Sequence, residues 1–304
     1  MRWFSAEEVA RALPPLTAME VVDQTLEQLA RGQAGTDGRQ FRGTEATPLA
    51  IMPGYAAGCV GMKIISVVEG NRSRGLPTIQ GAVVAFEEGT GKLLGVVDGP
   101  SLTAIRTAAI AGSATRRLSL PTARTFLMVG AGAQARSQIE AVLSVRPITR
   151  LTLWNRTAAL ADDLRGWVCQ RHPDLDVRVA LDLQDAAREA DVITLATSSP
   201  TPLLGAAGLR PHCHINAVGA FRPDRRELAT DVVEAACLYA DTLEGCLSEA
   251  GDFLIPMAEG RLDPARVRSL RDSAPADQGK LTVMKSVGSA VFDLASAARV
   301  LAAG

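Results

Sequence analysis

Two sets of residues in this chain have types and spacings that could do chemistry. The first is the run Thr125-Phe-Leu-Met-Val-Gly130-Ala131-Gly132-Ala133-Gln134-Ala135. Apolar, β-favouring residues lead into a glycine turn, and a helix-forming stretch from Ala135 to Val142 follows at once. A strand, a tight turn and a helix N-terminus in that order make an anion cradle. Gly130 permits the turn, Gly132 lets the backbone approach a pyrophosphate, and the small Ala135 keeps helix and strand close. The ligand of such a cradle is a dinucleotide; the alternative is an ordinary strand-to-helix turn with no ligand. The next strand of this unit ends at Trp154-Asn155-Arg156-Thr157. An acid there accepts hydrogen bonds from a ribose 2′-OH and selects NAD. Here the positions hold an amide, a cation and a hydroxyl, a set that suits a 2′-phosphate. NADPH is therefore the expected coenzyme, with NADH possible. The same residues could simply cap the following helix, which is compatible with phosphate binding.

The second set is cationic. Lys63 lies amid Val60, Met62, Ile64 and Ile65. A lysine in an apolar strand must find an anion, snorkel outwards or shift its pKa, unless strand alternation puts it on a wet face. Arg106 sits in a helix beside Ile105, Ala108 and Ile110, with few acids nearby in sequence. It reads either as half of a structural salt bridge or as a bidentate grip on a carboxylate or phosphate. Arg39 and Arg42 could add positive charge or be ordinary surface residues. Cations beside a nicotinamide imply an anionic substrate, most simply a carboxylate next to C=N or C=O that accepts hydride. No acid stands out as a proton relay. Asp98, Asp224, Glu227 and Asp293 qualify by position only, and a structural role is the plainer reading of each; the proton could come from solvent.

These residues must be positioned by a scaffold, and the sequence divides into two rhythms. Ser5 followed by Glu8 fits a capping box, Pro14-Pro15 breaks the pattern, and a second helix is expected over about 18–31. Strands are expected from Arg39, at Leu49–Met52 and at Val60–Val68. A hairpin follows over 81–86 and 93–97, then a long helix from Ser101 to Leu118, capped by Ser101. Leu120-Pro121 marks the boundary. From Thr125 the pattern alternates strand and helix, with strands expected at 125–129, 151–154, 177–180, 191–196, 214–218 and 237–240. Apolar strands alternating with helices imply a parallel sheet covered on both faces. Loops at the carboxyl ends of such strands, here at Thr197 and Val218, are where a ligand sits. A short helix is expected between Pro264 and Asp277. The apolar terminal helix, Ser289 to Leu301, has no place in this rhythm and is expected to return to the first domain. The expected fold is thus α/β: a Rossmann-type doubly wound parallel sheet over 119–281, plus a discontinuous α+β domain over 1–118 and 282–304.

Composition narrows the class. At 304 residues and 47% hydrophobic, the chain can bury a large core. A net charge of −1 with no charge runs speaks against a nucleic-acid groove or a membrane-surface patch. The five cysteines form no CxxC pair and are read as reduced, buried thiols of a soluble cytoplasmic protein. No apolar run reaches the roughly 18 residues needed to span a membrane, and no signal core opens the chain. With three histidines and no close His/Cys/acid cluster, no metal site is expected.

Taken together, the ordered motifs resemble the ornithine cyclodeaminase/mu-crystallin family across nearly the whole chain. They are Met52-Pro53, Gly61-x-Lys63, Leu102-Thr103-x-x-Arg106-Thr107-x-Ala109, the glycine turn, Asn155-Arg156-Thr157, the block from His214 to Leu228, and Ser286-Val-Gly288-x-Ala290. The resemblance implies a homodimer whose subunits pair a substrate and dimerisation domain with a Rossmann domain, the active site lying between them. It implies that Lys63, the catalytic residue, and Arg106 bind the substrate carboxylate with one N-terminal arginine. Counting from Gly32 puts that arginine at Arg39, with Arg42 the alternative. The coenzyme residues it implies are Thr107, Gly130, Ala131, Gly132, Ala133, Gln134, Ala135, Asn155, Arg156, Thr157, Thr197, Val218 and Gly288. One departure decides the subclass. Where ornithine cyclodeaminases carry a catalytic aspartate, this chain has Phe221, which can neither accept a proton nor hold an amine. The expected activity is NAD(P)H-dependent reduction of a small cyclic imine carboxylate, Δ1-pyrroline-2-carboxylate or Δ1-piperideine-2-carboxylate, to proline or pipecolate. The rivals are an amino-acid dehydrogenase, a cyclodeaminase-like lyase and a non-catalytic NADPH-dependent binding protein.

Overall fold

The computed structural model describes residues 2–304. Two compact units emerge: one runs up to Ala109 and resumes at Ser289–Gly304, and the other is Ile110–Gly288. The division falls inside the helix Gly99–Leu118 rather than after it.

The first unit is built on a mixed sheet. Its long strands Pro48–Ala56, Cys59–Val67, Ile79–Glu87 and Leu93–Asp98 pair antiparallel in sequence order. Trp3–Phe4 adds a short parallel strand at one edge. Gly35–Thr36 and Gln40–Gly43 both pair with Pro48–Ala56. Successive side chains on a strand face opposite sides. Ala50, Met52, Gly54, Cys59, Gly61, Lys63, Val83, Ala85 and Val97 form the buried side. The terminal helix Ala290–Ala303 and the helix Pro15–Ala30 pack together, the former mainly on the strands Pro48–Ala56 and Cys59–Val67. At Gly54 an added Cβ would lie 3.1 Å from the Ala290 Cβ, so the helix rides close on the sheet.

Several local expectations shift. The second helix begins at Pro15, which occupies its first turn, where a missing N–H costs nothing. The strand expected to stop at Met52 runs on through Pro53 to Ala56. On that side its partners change from Gln40–Gly43, paired as far as Ile51, to Gly35–Thr36, paired from Gly54, so Pro53 falls in the gap. The long helix is capped by Asp98, whose Oδ1 accepts the Ser101 N–H at 2.9 Å, rather than by Ser101. Its start at Gly99 puts Ser101 inside the first turn.

The second unit is a parallel sheet of eight strands. Their order is 176–179, 150–154, 125–129, 192–195, 214–217, 282–285, 237–240, 267–269, and every pair is parallel. Strand order reverses direction beside 125–129, the arrangement that opens a crevice at the carboxyl ends of the strands. Alternating residues feed two cores. Leu127, Val129, Ile193, Leu195 and Ile215 enter one, while Phe126, Met128, Leu151, Leu153 and Val192 enter the other. Two strands of this sheet differ from expectation. Thr282–Lys285 belongs inside it, between His214–Ala217 and Cys237–Ala240, not to the first unit, and Val267–Ser269 replaces part of the expected 264–277 helix, of which only 3-10 turns remain.

The five cysteines are free, but they are not all buried. Cys169 is exposed and Cys237 half-buried. Val168 takes the inward position of its helix, and the next residue turns outward by helical rotation. Among the described residues, no helix is long and apolar enough to cross a membrane, and no group of three or more His, Cys, Asp or Glu is placed to hold a metal ion.

Candidate active site

Lys63 points to the covered side of the sheet and is 2% exposed. The wet-face alternative therefore fails, and an anion must be present. It is Asp293, fully buried on the terminal helix. Lys63 Nζ lies 3.2 and 3.3 Å from its two carboxylate oxygens. Arg106, on the long helix, donates from Nε to Asp293 Oδ1 at 2.9 Å. Its Nη1 is buried with no hydrogen-bond partner. Two cations thus share one carboxylate, and a donor is left open. Burial pushes the Lys63 pKa down to about 8; Asp293 opposes that shift, while Arg106 and Arg39 reinforce it. The guanidinium of Arg39 is near enough to act on Lys63, whereas Arg42 is exposed and folds back onto Phe41 O and the Gln40 side chain. Thr107 is buried next to Arg106 on the same helix.

Asp293 was legible only as a position. The usable signal is that it is the sole acid in the helix Ala290–Ala303, on a face made up largely of apolar residues. A carboxylate on a buried helix face needs a cation, and Lys63 had the matching need.

The second unit collects the glycine turn. Gly130 has φ +103, and a Cβ there would lie 2.6 Å from the Ala196 carbonyl oxygen, so glycine is required twice over. Around Gly132 a Cβ would meet nothing within 4 Å, leaving the approach to the backbone open. The helix Ala135–Leu143 starts immediately behind, and its first N–H groups lack intrahelical acceptors. Gln134 Oε1 is buried without a partner. These features fit a pyrophosphate. Asn155 Oδ1 accepts the Ala131 N–H at 3.1 Å, and its Nδ2 donates to Thr157 O at 2.8 Å, so it braces the turn. Arg156 and Thr157 are exposed, and the Thr157 side chain makes no cap bond to the helix it precedes. Thr197 and Val218 lie half-buried just beyond adjacent strands. Gly288, at φ +79, donates to Asp241 Oδ2 at 3.3 Å. Phe221 is 41% exposed just past the strand His214–Ala217.

The profile of the Ornithine cyclodeaminase/mu-crystallin family matches residues 4–302. Ketimine reductase mu-crystallin of Mus musculus is 38% identical over 251 residues, covering 82% of this chain and 78% of that protein. The structure of Thermococcus litoralis Δ(1)-pyrroline-2-carboxylate reductase, in complex with NADH and L-proline, aligns with a TM-score of 0.92 at 26% identity, covering 99% of this chain and 97% of that one. An archaeal alanine dehydrogenase dimer with bound NAD aligns with a TM-score of 0.91, also at 26% identity, over 99% and 94% of the two chains.

The buried lysine has a thermodynamic signature. Unfolded, it keeps its proton up to its ordinary value of 10.5; folded, it releases it near 8. Between those values the unfolded chain binds more protons, so stability rises with pH. The contribution of this group is on the order of 3 kcal/mol across the window. Urea unfolding at pH 7.5 and 10 should show that increment in the wild type and lack it in Lys63→Met. An identical pH response in both proteins contradicts the description of Lys63 as a buried, charge-strained group.

Proposed function

This chain belongs to the ornithine cyclodeaminase/mu-crystallin family, and from that membership we propose that it reduces a small cyclic imine carboxylate with a reduced nicotinamide coenzyme. The substrates are Δ1-pyrroline-2-carboxylate and Δ1-piperideine-2-carboxylate, giving proline and pipecolate. The observation that carries this reading is the buried Lys63–Asp293–Arg106 cluster, cationic overall and with Arg106 Nη1 open. A substrate carboxylate completes it: the second acid supplies the acceptor that Arg106 lacks and balances the surplus charge. Arg39 adds to the attraction. Relatives named as a ketimine reductase and a pyrroline-2-carboxylate reductase support the same chemistry.

A bound reduced nicotinamide supplies hydride to the imine carbon, and the imine nitrogen takes a proton. Fixing the neighbouring carboxylate with Lys63 and Arg106 fixes which atom of the ring is presented, which is the orientation term in catalysis. Lys63 is protonated at neutral pH, and its depressed pKa makes it a far better acid than an ordinary lysine. It can therefore help to hold the proton that keeps the imine electrophilic. Phe221 offers an apolar ring and no base, which favours net reduction over deaminating cyclisation.

NADPH is the preferred coenzyme in this proposal. Asn155 is occupied in bracing the turn, and Arg156 and Thr157 are left exposed for a 2′-phosphate. The protein is a homodimer, formed through the uncovered side of the first unit's sheet. That side carries Ile51, Tyr55, Met62, Ile64, Val84 and Phe86, all apolar or aromatic and none fully buried in the single chain. A second copy covers such a face, and the structural neighbour described as a dimer supports it.

Three measurements test these statements. Loss of NADPH absorbance is expected with each imine. The kcat/KM of this reaction should fall above about pH 8 as Lys63 deprotonates, and Arg106→Lys should lower it by at least roughly tenfold through loss of the open Nη1 donor. Tight coenzyme binding with no turnover of any imine at millimolar concentration would sink the enzymatic reading. Arg156→Ala should raise KM for NADPH by about tenfold and leave KM for NADH unchanged; equal effects on both coenzymes contradict 2′-phosphate recognition. Light scattering should return twice the 32.0 kDa chain mass for the wild type and a monomer for Met62→Asp; a monomeric wild type overturns the dimer.

A further inference from the structure

The nucleotide-binding unit contains a second buried ion cluster that the reading above leaves unused. Glu227 is fully buried. Its Oε1 accepts the Thr197 N–H at 2.8 Å and the Thr197 hydroxyl at 2.7 Å. Its Oε2 accepts the N–H groups of Gly219 at 2.9 Å and Ala220 at 3.1 Å. Behind it lies Asp252, also fully buried, whose Oδ1 accepts the N–H groups of Glu227 and Leu228 at 2.8 and 2.9 Å. Asp252 Oδ2 is 2.7 Å from Lys285 Nζ, and Lys285 donates to the Ala220 carbonyl at 2.6 Å. Ala220 is thus held by its N–H and by its C=O, each on a buried charge. Burial pushes the Glu227 carboxyl above its ordinary range and the charge of Asp252 adds to that, while Lys285 and the donors from Thr197 oppose it.

The place of this cluster gives it meaning. Thr197 follows the strand Val192–Leu195, and Gly219 and Ala220 follow the adjacent parallel strand His214–Ala217. Both loops stand at the carboxyl edge of the sheet, on the other side of the switch point from the strand 150–154. The loops meet backbone to backbone. A Cβ on Gly219 would lie 2.3 Å from both N and O of Thr197, and 2.5 Å from Glu227 Oε1. Only glycine permits that spacing, and Glu227 bridges it. A well-packed apolar trio would serve stability at least as well as two acids and a lysine. It could not satisfy the turned-in N–H groups of two separate loops. The glycine turn and Asn155-Arg156-Thr157 account for the pyrophosphate and adenosine side of a dinucleotide. The remaining half must extend across the switch point, over these two loops.

We propose that Glu227 is a positioning residue for the nicotinamide half of the coenzyme, its carboxylate setting the spacing of the Thr197 and Gly219–Ala220 loops on which that half lies. The proposal rests on the coenzyme reading above. In Glu227→Gln, an amide NH2 must face either Thr197 or the pair Gly219 and Ala220, donor against donor. Gly219→Ala attacks the same spacing without touching a charge, and it carries the test if the glutamine variant does not fold. Calorimetric titration with NADPH and with adenosine 2′,5′-bisphosphate, which has no nicotinamide, separates the two halves. Both variants should bind NADPH about tenfold or more weakly and adenosine bisphosphate as the wild type does. Equal weakening towards both ligands, or no weakening towards either, overturns the positioning role. A wild type that binds neither ligand rejects the coenzyme reading itself, and this proposal with it.

Discussion

Burying the ammonium of Lys63 is the constraint on which the first unit turns. An isolated lysine in that position is too costly to keep charged. Asp293 makes it tolerable, and Asp293 arrives on a helix 230 residues away in sequence. The terminal helix must therefore return to the sheet for electrostatic as well as apolar reasons. Its apolar residues cover mainly the strands Pro48–Ala56 and Cys59–Val67, while its lone acid settles between a strand cation and a helix cation. Removing one member of such a group leaves uncompensated charge, which costs far more than the group contributes when intact. Register on the sheet follows from the same demand. A slip of one residue would turn Lys63 to the open face and put Met62 or Ile64 against the carboxylate.

Motifs whose meaning is local were legible in the sequence. The glycine turn needs a strand before it, a helix after it and small residues between, and all of that lies within Thr125–Leu143. The strands Thr125–Val129, Val192–Leu195 and Cys237–Ala240 were legible because each is a short, largely apolar run next to a helix-forming stretch. The capping box at Ser5 and Glu8 is local too. Missed features depended on partners elsewhere. Pro53 looks like a strand end until two short neighbouring strands are seen to leave a gap opposite it. Thr282–Lys285 looks like an approach to the last helix, because the strands that flank it are Cys237–Ala240 and His214–Ala217.

The same distinction governs the candidate site. Lys63 and Arg106 stood out because each is a charge in apolar surroundings, a local contradiction visible in one dimension. Asp293, Glu227, Asp252 and Lys285 are the same kind of contradiction. Their residue types gave no hint of which charge answers which. Lys285 and Asp252 are separated by 33 positions and Glu227 and Thr197 by 30, with no periodicity linking them. Propensity and pattern report what a segment needs; only the assembled chain reports where that need is met.

The two buried clusters differ in how completely the protein's own groups close them. At Glu227 both carboxylate oxygens are filled by donors from the protein, and the adjoining Lys285 is engaged with both Asp252 and Ala220. Nothing there asks for a further ligand, and the cluster acts on function only through the backbone it holds. At Lys63, cations outnumber the acid between them, and Arg106 keeps a buried N–H without an acceptor. Folded proteins rarely leave such a donor unmet. A cluster that the chain leaves one acceptor and one negative charge short is complementary to a carboxylate, and its preorganisation has already been met in the cost of folding.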